Sequence, residues 1–318
     1  MKHKLPVVLV ILCGLAGLCA DPPSERLGGA ASRNCILVPN PTNTLLLRLY
    51  TNASPDSSHP FNTFDIEVNG RAWLSSPGEI EWKRASAGAV SNVLIWFHNL
   101  LLDHEGPVMG ATNHMKVIES ASGADWHYVS VDVTAAYRDR VQEYRRAILF
   151  VEPSMFVIYD HVIAKQPVSC QWVLHPPAAT VVDPVWHDLR LESPQGGLRI
   201  GAPEKRHAPR SWERIETAVD ALLPGTVTMQ LAPTNKLTRL ELLTVFGVQS
   251  GGTKTDYAFR LLEGDHSIGA RIHRDGLPTI VAFRTDPAAT NVSLTGFPFN
   301  GPVGVDVFKP KPKPGSRK

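Results

Sequence analysis

The chain is short of cysteine, of helix signals and of long apolar runs, and each shortage excludes a class of protein. Only 4 of its 318 residues are cysteine and none is spaced as CxxC, so cysteine-held zinc and dithiol redox motifs have no support. It lacks a dinucleotide fingerprint, a P-loop, an HExxH pair and a GxSxG elbow, which removes the commonest signatures of nucleotide, metalloprotease and serine-hydrolase chemistry. Past residue 20 no segment approaches 18 consecutive apolar residues, so no membrane span is expected. Charge of one sign is missing as well. Taking away residues 1–20 removes Lys2 and Lys4 and no acid, leaving 30 Lys and Arg against 30 Asp and Glu. A neutral body argues against nucleic acid as a partner and offers no bulk field to draw in a polyanion.

What is present begins with a leader. Residues 1–20 have a basic start, a short apolar run and small residues near the end, the pattern of a secretory signal peptide cleaved near Cys19 or Ala20. Leucine precedes both Cys13 and Cys19, so a lipid anchor is not expected, and the mature protein is expected to be periplasmic or secreted. Residues 21–34 are rich in Pro, Gly and Ser and read as a linker, and residues 309–318 alternate Lys and Pro as an extended, disordered basic tail. Cys35 and Cys170 remain after cleavage; export makes a bridge between them chemically possible, and buried thiols are the alternative.

Residues 35–308 are short β-branched and aromatic runs separated by Gly, Pro, Asn and Asp. In Phe64-Asp65-Ile66-Glu67-Val68 the alternation is clean, and Asn69-Gly70 follows as a hairpin signal; Asp275-Gly276 plays the same part after Ile272. Helix signals are confined to one or two turns from Thr134 through Val141 and a weak helical spacing within Ser211–Leu223. Strands without βαβ alternation predict a large all-β antiparallel sandwich, or two stacked sandwiches in one unit, with few helical residues.

Three segments carry a family pattern: HPFNTFDIEVNGRAWLSSPG from His59 to Gly78, FHNLLLDHEG from Phe97 to Gly106, and AAYRDRVQEYRRAILFVEPSMFVIYDHVIAKQPVSCQWVLHPP from Ala135 to Pro177. In this order they resemble the β-sandwich domain of the heparinase II/III-like polysaccharide lyases. The resemblance implies β-elimination on uronate-containing polysaccharides such as glycosaminoglycans or alginate. It also implies a helical toroid ahead of the sandwich, supplying much of the catalytic apparatus; here the leader and linker stand in that place, so a toroid from another chain is an expected partner beside an acidic polysaccharide.

The family's first sandwich hairpin typically carries His-x-His, then Asn-Ser-Phe, Asn-Gly and Asp-x-Gly, with a His-Asn pair later. Anchored on Asn62-Thr63-Phe64, the second histidine is His59, Ser57 falls where the first is expected, Ser76 replaces the acid, and His98-Asn99 matches the later pair. The resemblance makes the first histidine catalytic and the second histidine, acid and later histidine a divalent metal site, zinc in some members. Two histidines and a serine hydroxyl are a poor zinc set, since zinc takes three or four protein ligands. His59 and His98 are then either remnants of the metal site or a hydrogen-bonded pair within the fold.

Elimination needs a base for the proton alpha to a carboxylate, a group to neutralise that carboxylate, and an acid for the leaving oxygen. Within this chain the candidates are His59 and Tyr144 for proton transfer, Arg145 and Trp126 for sugar contact, and His59 with His98 for a metal. Each has a plainer reading. Tyr137, Tyr144, Arg145 and Arg146 would form a turn with arginine paired to Asp139 or Glu143 and tyrosines covering the core edge. His161 and His175 would sit at strand ends, with Asp160 and His161 on opposite faces and so no dyad. Most of the 7 tryptophans should be core, Trp126 being the best exposed candidate. The readings that follow are a lyase-family domain, a non-catalytic carbohydrate-binding or accessory module on the same sandwich, and a truncated product without independent role.

Overall fold

The computed structural model describes residues 35–39, 45–50, 64–68, 71–74, 99–103, 116–137, 139–185, 188–193, 196–202, 212–215, 225, 227–231, 235–250 and 256–308. Ser57, His59, Ser76 and His98 lie outside the described residues, and with them the proposed hairpin and metal set.

The segment Val141–Val168 sets the architecture. Strand β8 (Val141–Val151) turns back as β9 (Met155–Val168), with Val151 opposite Met155 and Arg146 opposite Asp160. Nearly every residue from Tyr144 to Val162 is buried, as expected of strands covered on both faces, which read as continuous apolar runs. These two strands are the middle of an eight-stranded antiparallel sheet. Its order is β11 (Val181–Val185), β12 (Asp188–Ser193), β13 (Gly196–Gly201), β16 (Leu237–Ser250), β9, β8, β7 (Trp126–Asp132) and β6 (Lys116–Ser122).

Alternation then sends side chains to two cores. Tyr144, Ile148 and Phe150 with Phe156, Ile158 and Val162 face a four-stranded sheet of β14 (Trp212–Ile215), β15 (Thr228–Leu231), β10 (Cys170–Leu174) and β5 (Asn99–Leu102), meeting Trp172, Trp212 and Met229. Ala147, Leu149, Val157 and Tyr159 face a second four-stranded sheet of β17 (Tyr257–Gly264), β18 (Ser267–Arg274), β19 (Leu277–Arg284) and β22 (Val303–Val307), meeting Ile268, Ala270, Val281 and Phe283. A hairpin of β20 (Val292–Leu294) and β21 (Phe297–Phe299) packs on the far side of that sheet. The strands β1 (Cys35–Pro39), β2 (Leu45–Tyr50), β3 (Phe64–Val68) and β4 (Arg71–Leu74) form a further antiparallel sheet, in which Val68 stands opposite Arg71.

The all-β expectation holds among the described residues, where the helical turns are two short 3-10 segments, Thr134–Tyr137 and Ala178–Thr180. The turn at Thr134 ends before Val141 because the Tyr144 N–H donates to Thr134 Oγ1, tying the segment back to β8. Asp275 and Gly276 have φ of 51° and 81°, the left-handed pair that closes a two-residue hairpin between β18 and β19. Two expectations need correction. Residues 212–215 are a strand rather than the start of a helix, because they pair antiparallel with β15 and bury Trp212 opposite Leu231. His161 lies well inside β9, not at its end, since Val162, Ala164 and Val168 carry the buried pattern onward. Cys170 is buried in β10, and burial pushes its thiol up; the bridge to Cys35 lies outside the described side chains. No helix among the described residues is long and apolar enough to cross a membrane.

Candidate functional site

Cross-strand pairing gathers the chemistry of the middle sheet into two clusters, one on each face. On the face toward β10, Arg146 Nε donates to Asp160 Oδ1 at 2.7 Å, the Tyr144 hydroxyl donates to the same oxygen at 2.9 Å, and Arg146 Nη2 lies 2.9 Å from that hydroxyl. Arg146 also stands 4.9 Å over the Trp172 ring, and the Tyr137 hydroxyl donates to the Leu100 carbonyl at 2.8 Å. All of these side chains are almost entirely enclosed. Burial pushes the Tyr144 hydroxyl well above its usual range; Arg146 opposes that shift and Asp160 adds to it. The plainer sequence reading therefore changes in its partners: Arg146 pairs with Asp160 across the hairpin, and both tyrosines lie in the core rather than at its edge. A carbohydrate has no route to Tyr144 in this arrangement.

The opposite face carries a row of charge. Register places Lys116, Asp132, Arg145, His161 and Glu241 side by side across β6, β7, β8, β9 and β16. One row inward, Tyr159 packs on Phe283 at 5.3 Å between ring centroids, and Tyr128 approaches the same ring at 6.4 Å. The aromatics close the core beneath β17–β19, and the charged row lies just beyond them. His161 Nδ1 is 3.4 Å from the Tyr159 hydroxyl and 3.6 Å from Glu241 Oε1, an ion-pair separation rather than a hydrogen bond to the carboxylate. Arg239 Nη2 donates to the same Glu241 oxygen at 3.1 Å. Burial raises the Tyr159 hydroxyl well above its usual range, Glu241 raises it further, and Arg145 and Arg239 pull it down.

Arg145 is the anomaly in this row. It is 8% exposed, yet among the described residues it has no hydrogen-bond or ion-pair partner. Asp132 stands opposite it, but one Asp132 oxygen is occupied by the Thr134 N–H at 2.9 Å. Arg145 and His161 keep a small exposed fraction, 8% and 3%, and neither has an atom among the fully enclosed polar atoms without partners, which include His127 Nδ1.

Trp126 is half-buried rather than exposed. It packs against the second core and folds over its own turn, so close to Gly123 that a Cβ there would stand 2.3 Å from the indole nitrogen. His175 is buried just past β10, with Nδ1 3.2 Å from Thr228 Oγ1. No three His, Cys, Asp or Glu side chains among the described residues gather closely enough to hold a metal ion. Sequence reasoning named Arg145 and His161 but not Tyr159, Arg239 or Glu241. The signal available was the odd-numbered spacing 145, 159, 161, but β16 joins only through pairing with β9, which sequence does not print.

No family model matches the chain, and no curated protein matches it in sequence. Solved structures do. The heparan sulfate lyase HepC from Pedobacter heparinus matches with a TM-score of 0.55 and 14% identity, over 77% of this chain and 40% of that one. A heparinase III structure matches with a TM-score of 0.57 and 17% identity, over 79% of this chain and 41% of its own. A further heparinase III gene product matches with a TM-score of 0.57 and 11% identity, over 81% and 42%. The chain thus spans about two fifths of the length of the lyases it matches. At these identities the likeness is one of fold: this chain carries the polysaccharide lyase-like β-sandwich of heparinase III structures.

Proposed function

We propose that this protein is an exported lyase-like sandwich that engages acidic, uronate-containing polysaccharide, with eliminative cleavage by the 318-residue chain alone near background. The observation that carries the reading is the extent of the fold likeness, about four fifths of this chain laid on heparan sulfate lyase and heparinase III structures. The leader-like residues 1–20 support export to the periplasm or beyond. Three features support weak chemistry. Ser57 stands where the resemblance expects a catalytic histidine, and a serine hydroxyl without a base cannot take its place. Tyr144, the internal alternative, is enclosed with its hydroxyl committed to Asp160 and Arg146. Among the described residues the helical turns are two short 3-10 segments, and neither offers a group placed to neutralise a substrate carboxylate. His59 and His98 would then be a hydrogen-bonded pair within the fold rather than hold zinc.

The experiment is incubation of the purified chain with heparan sulfate, chondroitin sulfate and alginate, read by the ultraviolet absorbance of the unsaturated product and, separately, by polysaccharide binding. Losing one transition-state donor typically costs about 10²–10³ in rate, so losing several leaves only background. Binding without turnover is the expected result; robust turnover would require an internal base, with His59 and His98 the first to substitute.

A further inference from the structure

Arg145 is a nearly enclosed cation with no counter-ion among the described residues, and that is an uncommon arrangement. A guanidinium taken largely out of water is usually held by an acid. The next residue of the same strand, pointing to the other face, shows the usual solution: Arg146, fully enclosed, is held by Asp160 at 2.7 Å. Among the described residues Arg145 makes no ion pair with either acid of its own row. Asp132 accepts from the Thr134 backbone, and Glu241 is held by Arg239, with His161 standing between. The Tyr159 hydroxyl is turned toward His161 and Glu241 as well. The donors of Arg145 and the outer nitrogen of His161 are thus the groups left open at the rim of the second core.

We propose that Arg145, with His161 beside it and Glu241 and Arg239 holding that histidine in place, is a binding site for the oxyanion of an acidic sugar, its carboxylate or its sulfate ester. A guanidinium presents a planar fork of donors that matches two oxygens of such a group at once, and a charged pair of this kind is worth more in a partly desolvated setting than on an open surface. The ligand supplies the counter-ion that the fold withholds. This site deepens the polysaccharide reading and rests on it for the sugar, while the anion chemistry stands on the geometry alone. Glu241 and Arg239 are positioning residues, since they act through His161.

The test compares wild type with Arg145→Gln and His161→Gln in two measurements. In the first, binding is titrated with heparan sulfate, its desulfated form and its carboxyl-reduced form. Wild type should bind heparan sulfate, Arg145→Gln should bind about tenfold more weakly or worse, and the modified polymer that loses affinity identifies the oxyanion. In the second, melting temperature is followed in sodium sulfate and in sodium chloride at matched ionic strength. Sulfate should raise the wild-type value more than that of Arg145→Gln, because a ligand of the folded state stabilises by mass action. If Arg145→Gln does not fold, Arg145→Lys keeps a cation without the fork and should still lose polysaccharide affinity. Equal polysaccharide binding by folded wild type and variants would overturn the site and leave the polysaccharide reading intact. Loss of polysaccharide binding in every form, with a sulfate effect that needs Arg145, would support the oxyanion site and overturn the polysaccharide reading. No binding and no difference in melting would overturn the proposal.

Discussion

Arg146, Asp160 and Tyr144 show how one hairpin can hold a full charge in a core. Each charge removed from water must be repaid by its partner, and here a 2.7 Å ion pair, a tyrosine hydroxyl and the Trp172 face share the work. Asp160→Ala strands the guanidinium and should cost about 3–5 kcal/mol in urea denaturation. Tyr144→Phe removes one hydroxyl from the network and should cost less, about 1–3 kcal/mol. Wild-type stability in Asp160→Ala would contradict the assignment. A second residue-scale effect concerns His127, which is stacked on Phe150 with Nδ1 enclosed and without a partner among the described residues. Burial lowers its proton affinity and Glu152 only partly restores it. The unfolded chain therefore takes the proton more readily, so stability is whole above the ordinary value of 6.5 and erodes as pH falls toward the lower folded value. His127→Phe should lose less stability than wild type between neutral and mildly acid pH, as read by thermal melts. At this scale the sequence exposed the actors but not their partners: Arg146 was legible as an arginine paired to Asp139 or Glu143 in a turn, whereas its burial and its pairing with Asp160 needed the register of β8 on β9.

Strands and turns were the most legible level. The pair Asp275-Gly276 announced its hairpin because only left-handed residues close a two-residue loop of that twist. Gly276, at φ 81°, has open space for a side chain but not the backbone freedom, so Gly276→Val should cost about 1–2 kcal/mol through strain alone. A urea midpoint equal to wild type would contradict that. What hid the helix-strand choice at Trp212 was brevity: four residues give two repeats of the strand period, and chance helical spacing beyond Ile215 outweighed them. The length of β9 was masked differently. Its core-facing positions continue past the polar pair Asp160 and His161, which looked like an end because both faces of the strand carry a charged or polar residue there.

Among the described residues the eight-stranded sheet lies between the β14–β15–β10–β5 and β17–β18–β19–β22 sheets, and that order decides which of its residues can meet a ligand. Residues of β8 and β9 facing β10 are sealed, so Tyr144 and Arg146 are structural. Those at the rim beyond Tyr159 and Phe283 keep a small exposed fraction, as Arg145 and His161 do. The all-β class and the lyase-like sandwich were legible from turn spacing and from the three motifs. The charged row was not, because its members come from five strands spread between Lys116 and Glu241 and meet only through pairing. The near balance of 32 Lys and Arg against 30 Asp and Glu adds a condition: attraction for a polyanion has to be local, and it should weaken with salt as surface electrostatics does. The most direct measurement is calorimetric titration of the chain with heparan sulfate and with a neutral polysaccharide, at low and at high salt. Saturable binding of heparan sulfate that salt weakens, with none to the neutral polymer, is the predicted result; no binding of heparan sulfate, or equal binding of both, would contradict the account.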